Sequence, residues 1–447
     1  VGDVRVHGRR GGGAAGVVCV CLSWAYRERE HREQPGILGL MSVLEPAVRT
    51  HATREVVLPV ELFFDLVFVF ALTRVSLFLV EHLTWVGAIQ AGIILLAVWW
   101  FWDSMTWLSN WFDPDSWQVK SLLFVVMLLG IGMSTAIPGA FDDVAVVFVI
   151  GYLGMHYLST GLILVAARRQ RPQLFLKTVR STVWLVASTP LWIAGALASP
   201  DDRTWWWLAA IAVDYLGPLT RFWIPALGRA SAGGWTVSAS HISERTRLFI
   251  IIALGESVLV AGGTFDGSWS DPSKVLALIA AFVGTVLMWL LYFNHTADKV
   301  YAFVKAASET GLAAVNTFSY RHLLIVAGIV AVAVGDELVL AHPDDPIDPL
   351  TAVVLCGSAA LYILGNLLVK RSVGYRWLRS HIIGIAALFG ALVLFASPLA
   401  AGIPTLAAEG IVLLVLAAVV IADEVTHRRA ARGEVSLGAE SDAVTNS

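Results

Sequence analysis

LPVELFFDLVFVFALTRVSLFLV, residues 58–80, is long and apolar enough to cross a bilayer, yet it holds Glu61, Asp65 and Arg74. About 20 apolar residues cover the hydrocarbon core of a membrane. A charge at mid-depth costs about 2.5–3.5 kcal/mol on insertion scales, so an ionisable residue there calls for a partner or a function. Glu61 and Asp65 lie four residues apart and share one helix face. Two stacked acids repel when both ionise. The pair therefore reads either as a proton or cation relay or as a structural pair answered by an arginine from another helix.

The rest of the chain repeats this apolar character. Of its residues 57% are hydrophobic and 15% charged, and mean hydropathy is +0.72. Soluble domains carry about 25% charged residues. Apolar stretches fall at 58–80, 84–102, 119–137, 144–167, 181–198, 204–224, 246–264, 274–296, 320–340, 350–369, 381–398 and 405–422, which predicts an all-α integral membrane protein of about twelve transmembrane helices. The loops on one side of that arrangement hold 22 Lys and Arg; the opposite loops hold Arg203 and Lys274. Cytoplasmic loops carry the basic excess, so both termini are expected in the cytoplasm. The basic stretches RRQRPQLFLKTVR (168–180) and KRSVGYRWLRS (370–380) read as topology determinants beside lipid headgroups rather than as a nucleic-acid surface.

Cys19, Cys21 and Cys356 form no disulfide framework or metal spacing. Residues 1–53 and 426–447 are polar and expected to be disordered and cytoplasmic, and the first Met at position 41 suggests that 1–40 are an over-extended gene start. No Walker loop, HExxH motif or nucleophile elbow is present, so no catalytic residue, metal or cofactor is expected.

A shift of 191 residues lays FDLVFVFALT (64–73) over GESVLVAGGT (255–264), with Asp65 on Glu256 and Thr73 on Thr264. The same shift puts Asp103 over Asn294, and smaller offsets pair Gly130 with Gly328 and Arg168-Arg169 with Lys370-Arg371. The prediction is two parallel six-helix repeats, 54–240 and 241–425, related by an axis along the membrane normal.

Polar residues inside the spans are the site candidates. Glu256 falls near mid-span among Gly255, Gly262 and Gly263, which would permit close helix approach or a break. HISERTRLF (241–249) brings His241, Glu244 and Arg245 to the entry of the same span. Tyr320, Arg321 and His322 open another. Asp214 and Arg221 flank Gly217-Pro218, where a kink is expected. Asp103, Asn110, Asp113 and Asp115 lie among six Trp between Trp99 and Trp117. Asp336-Glu337 and Asp142-Asp143 read as solvated outer ends.

On VELFFDLVFVFALT (60–73), WDSMTWLSNWFDPDS (102–116), HISERTRLFIIIALGES (241–257) and YRHLLIVAGI (320–329), the chain resembles the bacterial low-temperature-requirement A (LtrA) family from about residue 54 to 425. The resemblance implies a multi-pass protein of a bacterial cytoplasmic (inner) membrane connected with growth in the cold, and it brings no reaction. Its matching positions are Glu61, Phe64, Asp65, Asn110, Asp113, His241, Glu244, Arg245, Gly255, Glu256, Tyr320 and His322, with Arg74 and Arg247 as departures. FFDLVF is also similar to the Phe-Ser-Asp motif of endosomal potassium channels with two six-helix repeats, although the second repeat, LGESVL, lacks the Phe.

Three readings follow. The first is a secondary transporter or exporter of a small solute or ion, with Asp65, Glu256, Glu61, His322, Asp103, Asn294 and Asp214 along its path and Phe64, Asn110, Asp113, His241, Glu244, Arg245, Gly255 and Tyr320 in support. The second is a non-transporting scaffold, sensor or lipid-acting enzyme in which the acids are structural, and the third a cation channel. Membrane lipids are the expected partners, and a homo-oligomer is compatible with all three.

Overall fold

Proline opens five of the long helices. Its missing N–H costs nothing in the first turn, where that donor has no intrahelical acceptor. In a computed structural model, Pro59, Pro172, Pro200, Pro272 and Pro349 each stand at a helix start, and Asp271 and Asp348 cap two of these with their carboxylates. The structure describes residues 57–432 apart from 226, 231–237, 266, 295, 307–314, 376–378 and 401. Within them run α1 (Pro59–Glu81), α2 (Trp85–Trp111), α3 (Trp117–Thr135), α4 (Ala145–Gln170), α5 (Pro172–Leu197) and α6 (Pro200–Leu219). There follow α7 (Ala239–Thr264), α8 (Pro272–Phe293), a short α9 (Thr296–Ala306), α10 (His322–Ala341), α11 (Pro349–Ser372), α12 (Arg379–Phe395) and α13 (Thr405–Ala431). A π-helical turn at Val315–Arg321 leads into α10.

Among the described residues all regular secondary structure is helical, with no strand beyond two isolated bridges. Nine of the helices are long and apolar enough to cross a membrane. Each of the twelve predicted segments falls on a helix; α5, α6 and α12 are the three more polar or shorter than the rest. The surface is apolar as well as the core: Phe63, Leu128, Leu259 and Phe389 are more than half exposed. Such a surface is a liability in water and the normal boundary with lipid. This is an all-helical, multi-pass membrane protein.

Packing sorts the helices into two groups. In the first, α1 lies against α2 and α3, chain neighbours pair from α3 through α6, and α6 returns to α2. In the second, α7 lies against α8 and α10, neighbours pair from α10 through α13, and α13 returns to α8. The groups meet where α1 packs on α7 and α10.

Several expectations change. The helices outrun their apolar stretches: the loops expected at 103–120 and 168–180 are largely helix, broken only at Arg171 in the second case, and α7 reaches back to Ala239 within the loop expected at 221–247. α13 continues to Ala431, past the expected end of the membrane region, and α9 was not foreseen. The expectations for residues 1–53 and for the end of the tail lie outside the described residues. α7 runs unbroken through Gly255, Gly262 and Gly263, and a Cβ at any of the three would meet nothing within 4 Å, so these glycines serve neither a break nor a close approach. Asp336 is not solvated: it is buried in α10 within electrostatic reach of Glu409 on α13. Pro218 does not kink a continuing helix. α6 ends one residue later, and Arg221 and Phe222 follow at φ 57° and 48°. Two successive non-glycine residues in the left-handed region are costly. The turn folds Phe222 back over Gly217, where a Cβ would come within 3.1 Å of its ring.

Candidate functional site

Two polar centres are built into the first group and its seam with the second. At the seam, the acids Glu61 and Asp65 on one face of α1 meet the bases His241 and Arg245 on one face of α7, each pair one helical turn apart. His241 Nε2 lies 3.0 Å from Glu61 Oε1, and Arg245 Nη2 donates to Asp65 Oδ1 at 2.9 Å. Because 61 meets 241 and 65 meets 245, the two helices run the same way. Arg245 also reaches Glu61 at 3.5 Å and donates to the Ser109 hydroxyl at 2.6 Å, with its guanidinium over the Phe64 ring at 5.2 Å. Trp102 donates to Asp65 at 2.7 Å, and the Leu58 amide to Glu61 at 2.9 Å.

All four side chains are fully buried. With His241 protonated the cluster carries two negative and two positive charges, so it neutralises itself. Asn110 ties in the approach to α7 by accepting from the Ser238 amide at 3.0 Å. The motif residues Glu61, Phe64, Asp65, Asn110, His241 and Arg245 thus converge, and the geometry is that of acids answered by an arginine from another helix.

Glu256 is elsewhere. It lies eleven residues beyond Arg245, about 16 Å along α7 at 1.5 Å per residue, half-buried beside the Thr73 hydroxyl of α1. Asp65 and Glu256 therefore occupy the same seam at different depths without meeting. His322 is fully buried and both its ring nitrogens are engaged. Nδ1 faces the Thr317 carbonyl at 2.8 Å, so it must donate, and Nε2 accepts from Tyr292 at 3.1 Å. Asn294 caps α8 and is exposed. Tyr320 donates to the Tyr215 carbonyl at 3.1 Å, and Asp113, Glu244 and Gly255 sit at partly or fully exposed positions.

The second centre is a cavity of about 150 Å³ between α2, α4, α5 and α6, closed on one side by the π-helical turn. It takes in Asp103 and Asp214 from the predicted set and adds His156 and Lys177. Asp103 accepts from Ser319 at 2.8 Å and from Trp107. Asp214 accepts from Tyr152 at 3.0 Å, Trp192 at 3.1 Å and Ser188. His156 is buried in α4, and its Nε2 has no hydrogen-bond partner among the described residues. Lys177 comes from the second turn of α5, inside the stretch expected to be a basic loop. A signal for both lay in the helical spacing of polar residues, His156, Ser159, Thr160 on α4 and Lys177, Thr178, Ser181 on α5, each a stripe on one face. Among the described residues no group of three or more His, Cys, Asp or Glu side chains could hold a metal ion.

Residues 56–421 match the family model described as bacterial low temperature requirement A protein (LtrA). An uncharacterized protein of Rhizobium meliloti (strain 1021) is 35% identical over 357 residues, covering 80% of this chain and 87% of its own length. No solved structure matches. The family match spans the seam and the cavity, and the chain belongs to the LtrA family.

Proposed function

We propose that the protein is a secondary transporter whose solute occupies the cavity of the first helix group. The observation that carries this reading is the cavity itself: intramembrane ionisable residues gather around a void of ligand size, where Asp103, Asp214, His156 and Lys177 converge. Binding sites are concave, mostly apolar and furnished with a few convergent polar groups. The α1–α7 cluster is the joint between the two groups, and Glu256, half-buried on the same seam and in no ion pair with a described residue, is the coupling carboxylate. The matching adjacency inside the two groups, each helix finding the same neighbours, supports twelve spans in two parallel repeats. The basic excess on one side supports an inner-membrane protein with both termini in the cytoplasm, and the cavity then opens inward, where α2 and α6 end and α5 begins.

The test is a flux screen in proteoliposomes under an imposed proton gradient. Wild-type protein should move a small solute, Glu256→Gln should remove the dependence on the gradient, and Thr160→Phe or Ser181→Phe, which fill the cavity from two neighbouring helices, should stop movement while the protein stays monodisperse. Flux that survives both cavity-filling variants would refute the site. Absence of flux for every solute would leave the scaffold reading in its place.

A further inference from the structure

The cavity's hydrogen-bonding inventory is one-sided. Ser104 donates to the Trp100 carbonyl at 2.8 Å, Ser159 to Met155 at 2.7 Å, Thr178 to Leu174 at 2.9 Å and Ser181 to Thr178 at 3.0 Å. A hydroxyl has one proton to give and two lone pairs. These four have spent their donors on their own helices and present acceptors to the void. Asp103 accepts two bonds out of the roughly four a carboxylate can take, so it too has acceptor capacity left. His156 Nε2, buried and without a hydrogen-bond partner among the described residues, adds another acceptor in the neutral tautomer that carries its proton on Nδ1. Lys177 is the one cation among the described residues of the lining, and it has an interaction with a neighbour of its own.

The walls are aromatic: Trp100, Trp107, Trp111, Trp184 and Phe222 line the same space. Ring faces attract cations, most strongly those of Trp. A carboxylate ligand would meet the lone pairs of those four hydroxyls and of Asp103, against the Thr160 hydroxyl and the Lys177 ammonium on the donor side. A cation rich in N–H donors would meet acceptors and π faces. A cavity of about 150 Å³ is the size that holds a benzene-sized body.

We propose that this cavity binds a small organic cation, a protonated amine on a short apolar body, with its ammonium on Asp103 and His156 and its body between the tryptophans. This assignment rests on the reading of the cavity as the ligand site, and its test separates the two.

The full chain in nanodiscs is titrated by thermal shift and intrinsic tryptophan fluorescence with matched probes in two sizes. These are n-butylammonium, butanol and butyrate, then benzylammonium, benzyl alcohol and benzoate. The ammonium member of each set should bind saturably and at least tenfold more tightly than its neutral and anionic mates. Asp103→Asn should remove that preference. Trp100→Leu, which leaves the hydrogen bonds of Asp103 untouched, should weaken the ammonium more than the alcohol and stands in if Asp103→Asn does not fold. Equal binding of all three members, or tightest binding of the carboxylate, would overturn the amine assignment while leaving the cavity as a site. A saturable response that Thr160→Phe leaves unchanged, or none to any probe, would remove the cavity as well.

Discussion

At the scale of single residues, the buried ladder of Glu61 and Asp65 against His241 and Arg245 sets the strongest constraint. A buried ion pair adds little over well-packed apolar residues, but removing one partner strands the other at a cost of about 3–5 kcal/mol. Arg245→Met should therefore abolish most monodisperse protein, since two carboxylates lose their guanidinium together. Arg245→Lys should rescue only in part, because one ammonium does not reproduce a planar fork shared among Glu61, Asp65 and Ser109. The triple change Glu61→Gln, Asp65→Asn, Arg245→Met should recover stability that the single change loses. Melting temperatures and size-exclusion profiles of the purified variants decide this, and a stable Arg245→Met protein would contradict it. The sequence shows that the acids need an answer and that the bases share their spacing. It does not show that they pair, because 180 residues separate Asp65 from Arg245, and equally spaced charges on other helices would satisfy the same rule.

Among elements, the existence and order of the helices are legible, because apolar runs with proline at the start and a capping side chain before it are local signals. Their lengths are not. Hydropathy trims a helix wherever charges appear, and here the charges near the helix ends are buried in partners rather than solvated. Asp103, Lys177 and Arg245 all fell in expected loops for that reason. A close approach of two backbones was equally invisible: α10 and α11 meet at Gly328 and Gly365, where a Cβ would meet the Tyr362 backbone at 2.7 Å and the Ile325 amide at 2.8 Å. Small residues let backbones approach where no hydrophobic force between helices exists in lipid. Gly328→Ala should destabilise by about 1–3 kcal/mol, the range for overpacking. Gly357→Ala on α11, with nothing within 4 Å of the added carbon, should be neutral or gain up to about 1 kcal/mol of helix propensity. Paired melting curves would show the two substitutions moving Tm in opposite directions or only the first moving it; equal losses would mean that backbone approach is not what the glycine provides.

Across the whole molecule, the two helix groups share an adjacency but not an interior. The first keeps its acids, Asp103 and Asp214, on neutral donors around a cavity. The second holds Lys370 of α11 against Asp423 of α13 at 2.6 Å, with His381 of α12 at 3.4 Å from the same ammonium, all buried. If the groups descend from one duplicated unit, one copy retained a void and the other filled its space with an ion pair. The consequence is a division of labour that two substitutions separate. Asp423→Asn strands the buried Lys370 and should cost about 3–5 kcal/mol, lowering Tm without changing ammonium binding in the first group. Asp214→Asn leaves only the neutral donors Tyr152, Trp192 and Ser188 around it, and an amide oxygen still accepts from them, so Tm should fall by less while probe binding weakens. Melting curves and probe titrations on both variants measure the two effects independently. If Asp423→Asn weakened binding as much as Asp214→Asn, the groups would be acting as one site, and the second ion pair would belong to the ligand path rather than to the scaffold that holds it.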